Sequence, residues 1–124
     1  MFAKTKAFSA FAVDDLDQAR KFYGETLGIG VIEQHGLLTL NLAGGHDIRV
    51  YRRPGHTPAA HTVLMFQVDD IEAAVGELIR RGVQFERYDG MDQDDRGVTR
   101  GGGPFIAAWF KDPAGNILEV LQER

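Results

Sequence analysis

A short stretch that occurs twice constrains this chain more than anything else in it. Val13-Asp14-Asp15-Leu16 leads into a helical pattern closing at Leu27-Gly28, and Val68-Asp69-Asp70-Ile71 leads into another closing at Arg81-Gly82. In each copy aspartates stand where a helix begins, placed to accept from free backbone N–H groups and to oppose the positive end of the helix dipole. In each, a glycine follows the last turn, where a left-handed residue caps the carbonyl end. A self-similar unit of about half the chain implies one domain made of two copies of a module. The 124 residues, 44% hydrophobic, suffice for one sizeable core.

Charge and composition exclude several classes of function. A net charge of −4 with no basic stripe argues against a nucleic-acid partner. The chain has no cysteine, which excludes disulfides, thiolate catalysis and cysteine-based zinc sites. The N-terminus lacks the apolar core of a signal peptide and no run approaches membrane-spanning length, so no membrane partner and a cytoplasmic location are expected. Ser9 is the only serine, and strand parity puts it on the helix-facing side, which argues against a serine–histidine hydrolase.

The chain reads as two modules, residues 1–53 and 61–124, joined by a Pro- and Gly-bearing linker at 54–60. In the first, residues 6–13 predict a strand with Phe11 and Val13 on one face and Phe8, Ala10 and Ala12 on the other; two apolar faces imply cover on both sides. Residues 15–27 predict a helix burying Leu16, Ala19, Phe22 or Tyr23, and Leu27. Three strands follow at 29–32, 37–42 and 48–51, turned by Gly36 and by Gly44-Gly45, the pair being the stronger hairpin signal. The second module predicts a strand at 62–68, a helix at 70–81 and a short strand at 83–86. A long polar loop at 88–104 then leads to strands at 105–110 and 117–121 around the turn Asp112-Pro113-Ala114-Gly115-Asn116. The pattern is βαβββ twice, an α+β fold.

The repeat serves as a ruler. Parity divides residues 62–68 into a helix face of Thr62, Leu64, Phe66 and Val68 and an open face of His61, Val63, Met65 and Gln67. Val63 is the repeat mate of Phe8, and aligning Gly45 with Gly115 makes Glu119 the mate of Arg49. Under a pseudo-twofold, Phe8, Arg49, Val63 and Glu119 are expected to cluster in one sheet concavity.

The strand ending in Val13-Asp14-Asp15-Leu16, the Phe22-Tyr23 and Leu27-Gly28 that follow, and Asp112-Pro113-Ala114-Gly115-Asn116 before Leu118-Glu119-Val120 resemble the vicinal oxygen chelate superfamily. That superfamily includes glyoxalase I, bleomycin-resistance proteins and extradiol dioxygenases, and the resemblance covers nearly the whole chain. It implies two βαβββ modules forming a curled mixed-sheet cup, usually in homodimers. It also implies four metal ligands of His, Gln or Glu type, one from the first and one from the last strand of each module. The matching positions are Phe8, Arg49, Val63 and Glu119, and only Glu119 keeps a ligand type. One carboxylate is far short of what a divalent site needs, so neither a metal nor another cofactor is expected.

Candidate residues follow from these faces. Arg49 and Glu119 could pair across the pseudo-twofold, or Arg49 could receive an anionic or carbonyl oxygen with Glu119 orienting it or acting as a base. His61 is a third catalytic candidate as acid, base or donor, against a rim histidine as the plain reading. Phe8, Tyr51, Val63 and Met65 complete the candidate ligand-binding set, and Trp109 reads as core. His35 and His46 sit at turns. The 88–104 loop reads either as a lid or as a surface excursion. It lacks the glutamate of an EF-hand loop, and Gly101-Gly102-Gly103 opens no helix that could cradle phosphate.

Three functions stay open at this point. The first is a small-molecule-binding protein of the glyoxalase/bleomycin-resistance type without the usual metal ligands. The second is a lyase, isomerase or dioxygenase-like enzyme working metal-free or with an atypical metal site. The third is a structural or regulatory dimer whose cup is filled by its own side chains.

Overall fold

The computed structural model describes residues 1–101 and 103–124, and the chain divides into two compact units, Met1–Thr57 and Pro58–Arg124. The first carries β1 (Ser9–Val13), α1 (Leu16–Lys21), β2 (Gly30–Gln34), β3 (Leu37–Asn41) and β4 (Asp47–Arg52). The second carries β5 (Thr62–Gln67), α2 (Ile71–Arg80), β6 (Phe105–Lys111) and β7 (Ile117–Glu123). Each unit has a mixed sheet: β1-β4-β3-β2 in the first and β5-β7-β6 in the second. In both, the first strand pairs parallel with the last and the other pairings are antiparallel. The fold is α+β, as the repeat implies.

The duplicated aspartates act as read. Asp15 Oδ1 accepts from Gln18 N and Asp70 Oδ1 from Ala73 N, each at 3.1 Å. These side chains satisfy donors that an uncapped helix start leaves free.

The first helix is shorter than the 15–27 pattern predicts. After α1, Phe22–Thr26 forms a π-helical turn closed by Leu27 N donating to Phe22 O at 2.9 Å. Gly24 within it has weak α-helical preference. The turn carries Tyr23 into full burial, its ring 5.8 Å from Phe11 and 5.2 Å from Phe22. Val13, Ala19, Leu38, Leu40 and Val50 are also buried in this unit. The tight hairpin in this unit is His35-Gly36, both at positive φ, whereas Gly44-Gly45 falls in a 3-10 turn over Ala43–Gly45. Paired positive φ values suit the twist of a two-residue hairpin, which explains a glycine at 36. The strand predicted at 6–13 pairs only from Ser9, and Ala10 on its second face is exposed rather than covered.

The second unit keeps a core of Ile71, Val75, Val98, Ala108 and Val120. The strand predicted at 83–86 is reduced to one bridge, Phe85 to Phe110. Two further bridges, Gln93 to Thr99 and Thr99 to Ala107, lay the loop beside β6 instead. Asp94 Oδ1 accepts from the backbone N–H groups of Arg96 and Val98, and the Gln93 amide donates to the carbonyls of Glu86 and Gly97. Glu72 on α2 pairs with Arg96 and Arg100. Val98, only 1% exposed, joins the unit's core and anchors the middle of the 88–104 loop, while most of the described residues around it remain at the surface. Of its three consecutive glycines, Gly102 lies outside the described residues.

Candidate functional site

Each sheet has a helix-covered face and an opposite face, and strand pairing assigns residues to them, because Cα partners project to the same side. In the first unit Phe11, Val50 and Leu38 are in register and buried. The alternate row is Ala10, Arg49 and Thr39, continued by Ala12, Tyr51 and Leu37. Arg49 and Tyr51 therefore share the face opposite the core with Asp47, and Tyr51 is 41% exposed.

Phe8, just before β1, meets Arg49 directly. The guanidinium carbon of Arg49 lies 4.0 Å from the Phe8 ring centroid, and Lys6 Nζ lies 5.1 Å from the same centroid. A cation over a ring face gains about 0.5–2 kcal/mol, more as water is removed. The contact fixes the guanidinium against the Phe8 ring. Arg49 Nε is buried and has no hydrogen-bond partner.

In the second unit the corresponding row is Met65, Glu119 and Trp109. Trp109 lies on this row, not on the core face expected for it: antiparallel register with β7 fixes its side, and Ala108 and Phe110 take the core. Its Nε1 donates to Glu119 Oε1 at 2.9 Å, and its ring stands edge-on to Tyr88 at 5.8 Å. Burial pushes the Tyr88 hydroxyl up from its ordinary range, with Glu86 adding to the effect.

Thr62 is the second correction on this face. Parity assigns it to the helix side, yet it pairs with Ile117 while Met65 pairs with Glu119, so the register shifts between Thr62 and Leu64. A bulge at Val63 puts two residues of β5 opposite one of β7 and reverses alternation on its N-terminal side. Thr62 consequently hydrogen-bonds the Glu119 side chain. His61 precedes the bulge and is exposed, so alternation no longer sets it on the Glu119 face. Met65, at 60% exposure, projects from the face as read.

Glu119 is thus a carboxylate only 8% exposed on an otherwise apolar row. Desolvation raises its pKa above the usual carboxylate range, and the bonds from Trp109 and Thr62 offset part of that rise. Such a group can hold or release a proton nearer neutrality than a solvated glutamate. Among the described residues no three His, Asp or Glu side chains come together in either unit as metal ligands would. Nor is any helix of the described residues long and apolar enough to cross a membrane.

Comparison with known proteins places these faces in a family. Residues 7–120 match the sequence model of the Glyoxalase/Bleomycin resistance protein/Dioxygenase superfamily. No curated protein sequence matches the chain. Among solved structures, a glyoxalase family protein from Bacillus anthracis shares 22% identity over 100% of both chains with a TM-score of 0.73. TnmS3, an antibiotic binding protein from Streptomyces sp. CB03234, shares 23% identity over 98% of both chains with a TM-score of 0.67. The fosfomycin resistance protein FosX from Mesorhizobium loti shares 10% identity over 98% of this chain and 93% of its own, with a TM-score of 0.66.

Proposed function

The chain belongs to the glyoxalase/bleomycin resistance protein/dioxygenase superfamily, and from that premise we propose that it binds a small molecule without the metal of its catalytic relatives. The observation that carries this reading is the state of the positions where the resemblance puts metal ligands. Phe8 and Arg49 are engaged with each other as ring and cation, Val63 sits at a bulge, and Glu119 is bound by Trp109 and Thr62. A guanidinium repels a divalent cation, and phenyl and isopropyl groups cannot coordinate one. Each unit's open face carries an exposed residue of a kind suited to a flat ligand, aromatic Tyr51 in the first and polarisable Met65 in the second. The antibiotic-binding protein among the structural neighbours supports the class of function. A homodimer is the assembly we propose, from the habit of the family.

The test pairs elemental analysis with a thermal-shift screen. Protein purified from metal-supplemented medium is expected to carry no stoichiometric divalent metal, while apolar drugs, quinones or carbonyl compounds raise its Tm by binding the native state. One metal per chain, with a Tm that collapses on chelation, overturns the reading.

The raised carboxyl of Glu119 favours a second reading, a metal-free lyase or isomerase in which Glu119 moves a proton. Under it, Glu119→Gln abolishes turnover and spares ligand binding.

A further inference from the structure

We infer that Arg49 receives an anionic oxygen of the ligand, so that the preferred ligand is a carboxylate or similar oxyanion on a flat apolar body. The inference rests on the small-molecule reading and adds the ligand's chemical class. Three observations carry it. The first is that Arg49 is a held cation: β4 fixes its backbone between Ala10 and Thr39, and the Phe8 ring covers its guanidinium at 4.0 Å. A guanidinium held in place in this way carries its N–H groups in a planar fork, the geometry that meets the two oxygens of a carboxylate side by side.

The second observation is an unmet hydrogen-bond requirement. Arg49 Nε is buried without a partner. A buried donor left unmade is costly, and a charged one more so, so a ligand oxygen that displaces the groups covering Nε gains more here than at a solvated arginine. Within the unit no carboxylate forms an ion pair with Arg49, Asp47 on the same face included. The third is that the local charge and surface suit such a ligand. Lys6 adds a second cation at the Phe8 ring, while Ala10, Ala12, Leu37, Tyr51 and the half-exposed Ile32 line the same face with apolar surface. Such a surface accepts a flat hydrocarbon body and anchors it at one charged point.

The experiment uses the whole chain and matched pairs of aromatic carboxylates and their uncharged amides, such as 2-naphthoate and 2-naphthamide, titrated calorimetrically. In the native protein the carboxylate of a pair is expected to bind at least about tenfold more tightly than the amide. Arg49→Met is expected to abolish that preference, and Arg49→Lys to restore part of it, since charge without the planar fork keeps attraction and loses geometry. A readout in the unmutated protein stands beside the variants: the Arg49 Nε–H resonance, in protein labelled at the guanidinium nitrogens, is expected to shift on adding carboxylate and not amide. Equal binding of carboxylate and amide, or an unmoved Nε–H resonance with carboxylate bound, overturns the inference and leaves the small-molecule reading standing. Absence of binding by every pair also overturns it, while the thermal-shift screen judges the broader reading separately.

Discussion

The two units are built on one plan and diverge in how they treat their charged residue. Both start a helix on an aspartate accepting at 3.1 Å, and both pair their first strand parallel with their last. The first unit keeps β2 as a full strand; the second replaces it by the single Phe85–Phe110 bridge and fills its core with Val98 from the loop. On the face opposite the core, the first unit holds a cation whose Nε has no partner, and the second an anion with two. In the second unit the helix, the β5–β7 pair and the β6–β7 pair are all kept where the strand is lost, and Val98 from the loop joins the core they form. What varies freely is the chemistry on the open rows.

The largest expected effect tests the turns that lead into the last strands. Asp112, buried, accepts from Ala114 N, Asn116 N and Asn116 Nδ2, pinning a turn in which Gly115 sits at φ 87° with a Cβ position only 3.1 Å from Pro58. Asp112→Ala is expected to cost about 3 kcal/mol in urea unfolding, because it leaves buried donors unpaired. The counterpart turn in the first unit has no such side chain and relies on glycine φ values, so Gly45→Ala is expected to cost about 1 kcal/mol. Equal costs would erase the distinction between the two turns.

Next comes the replaced strand. Val98→Ala removes buried methyls from the second core and is expected to lose about 2 kcal/mol. Ile32→Ala on the retained strand, where the side chain is 44% exposed, is expected to cost no more than about 0.5 kcal/mol. A silent Val98→Ala would mean that the loop is decoration after all. The caps should instead behave alike: Asp15→Ala and Asp70→Ala are each expected to lose about 1 kcal/mol, and a wide gap between them would show that the repeat is not energetic.

The smallest effect is a slope. The folded pKa of Glu119 lies above its unfolded value, so between the two the native state binds more protons and stability falls as pH rises. Glu119→Gln is expected to flatten that decline just above the ordinary carboxylate range, while Arg49→Met leaves it unchanged. An unaltered slope in Glu119→Gln would show a carboxyl less desolvated than its burial implies.

Much of the fold was legible because it depends on neighbours in sequence. The Asp–Asp starts and the glycines after the helices are local, and the structure keeps them; the 3.6-residue stripe holds through α1 and most of α2 but gives way to the π-helical turn at Phe22–Thr26 and leaves Ile79 exposed. The open face of β4 was also legible, since Arg49 and Tyr51 belong to an unbroken strand where alternation holds. On the other sheet the same rule misplaced Thr62, and Trp109 could not be assigned without the register across the Asp112 turn. A fixed count back from that turn was the one available signal for Trp109; nothing in residues 61–64 announces a bulge.

By itself, then, the chain's sequence determined the duplicated frame, the absence of thiol chemistry and the placing of an arginine and a glutamate at mated positions. Only the tertiary structure decided that Arg49 lies over Phe8 with an unmet donor, that Glu119 is held by Trp109 and Thr62, and that Val98 stands in for a strand. The reason is that local preferences fix which residues turn, coil or extend. The pairing register of strands far apart in the chain, and with it the neighbours of each side chain, is settled by the packing of the whole unit.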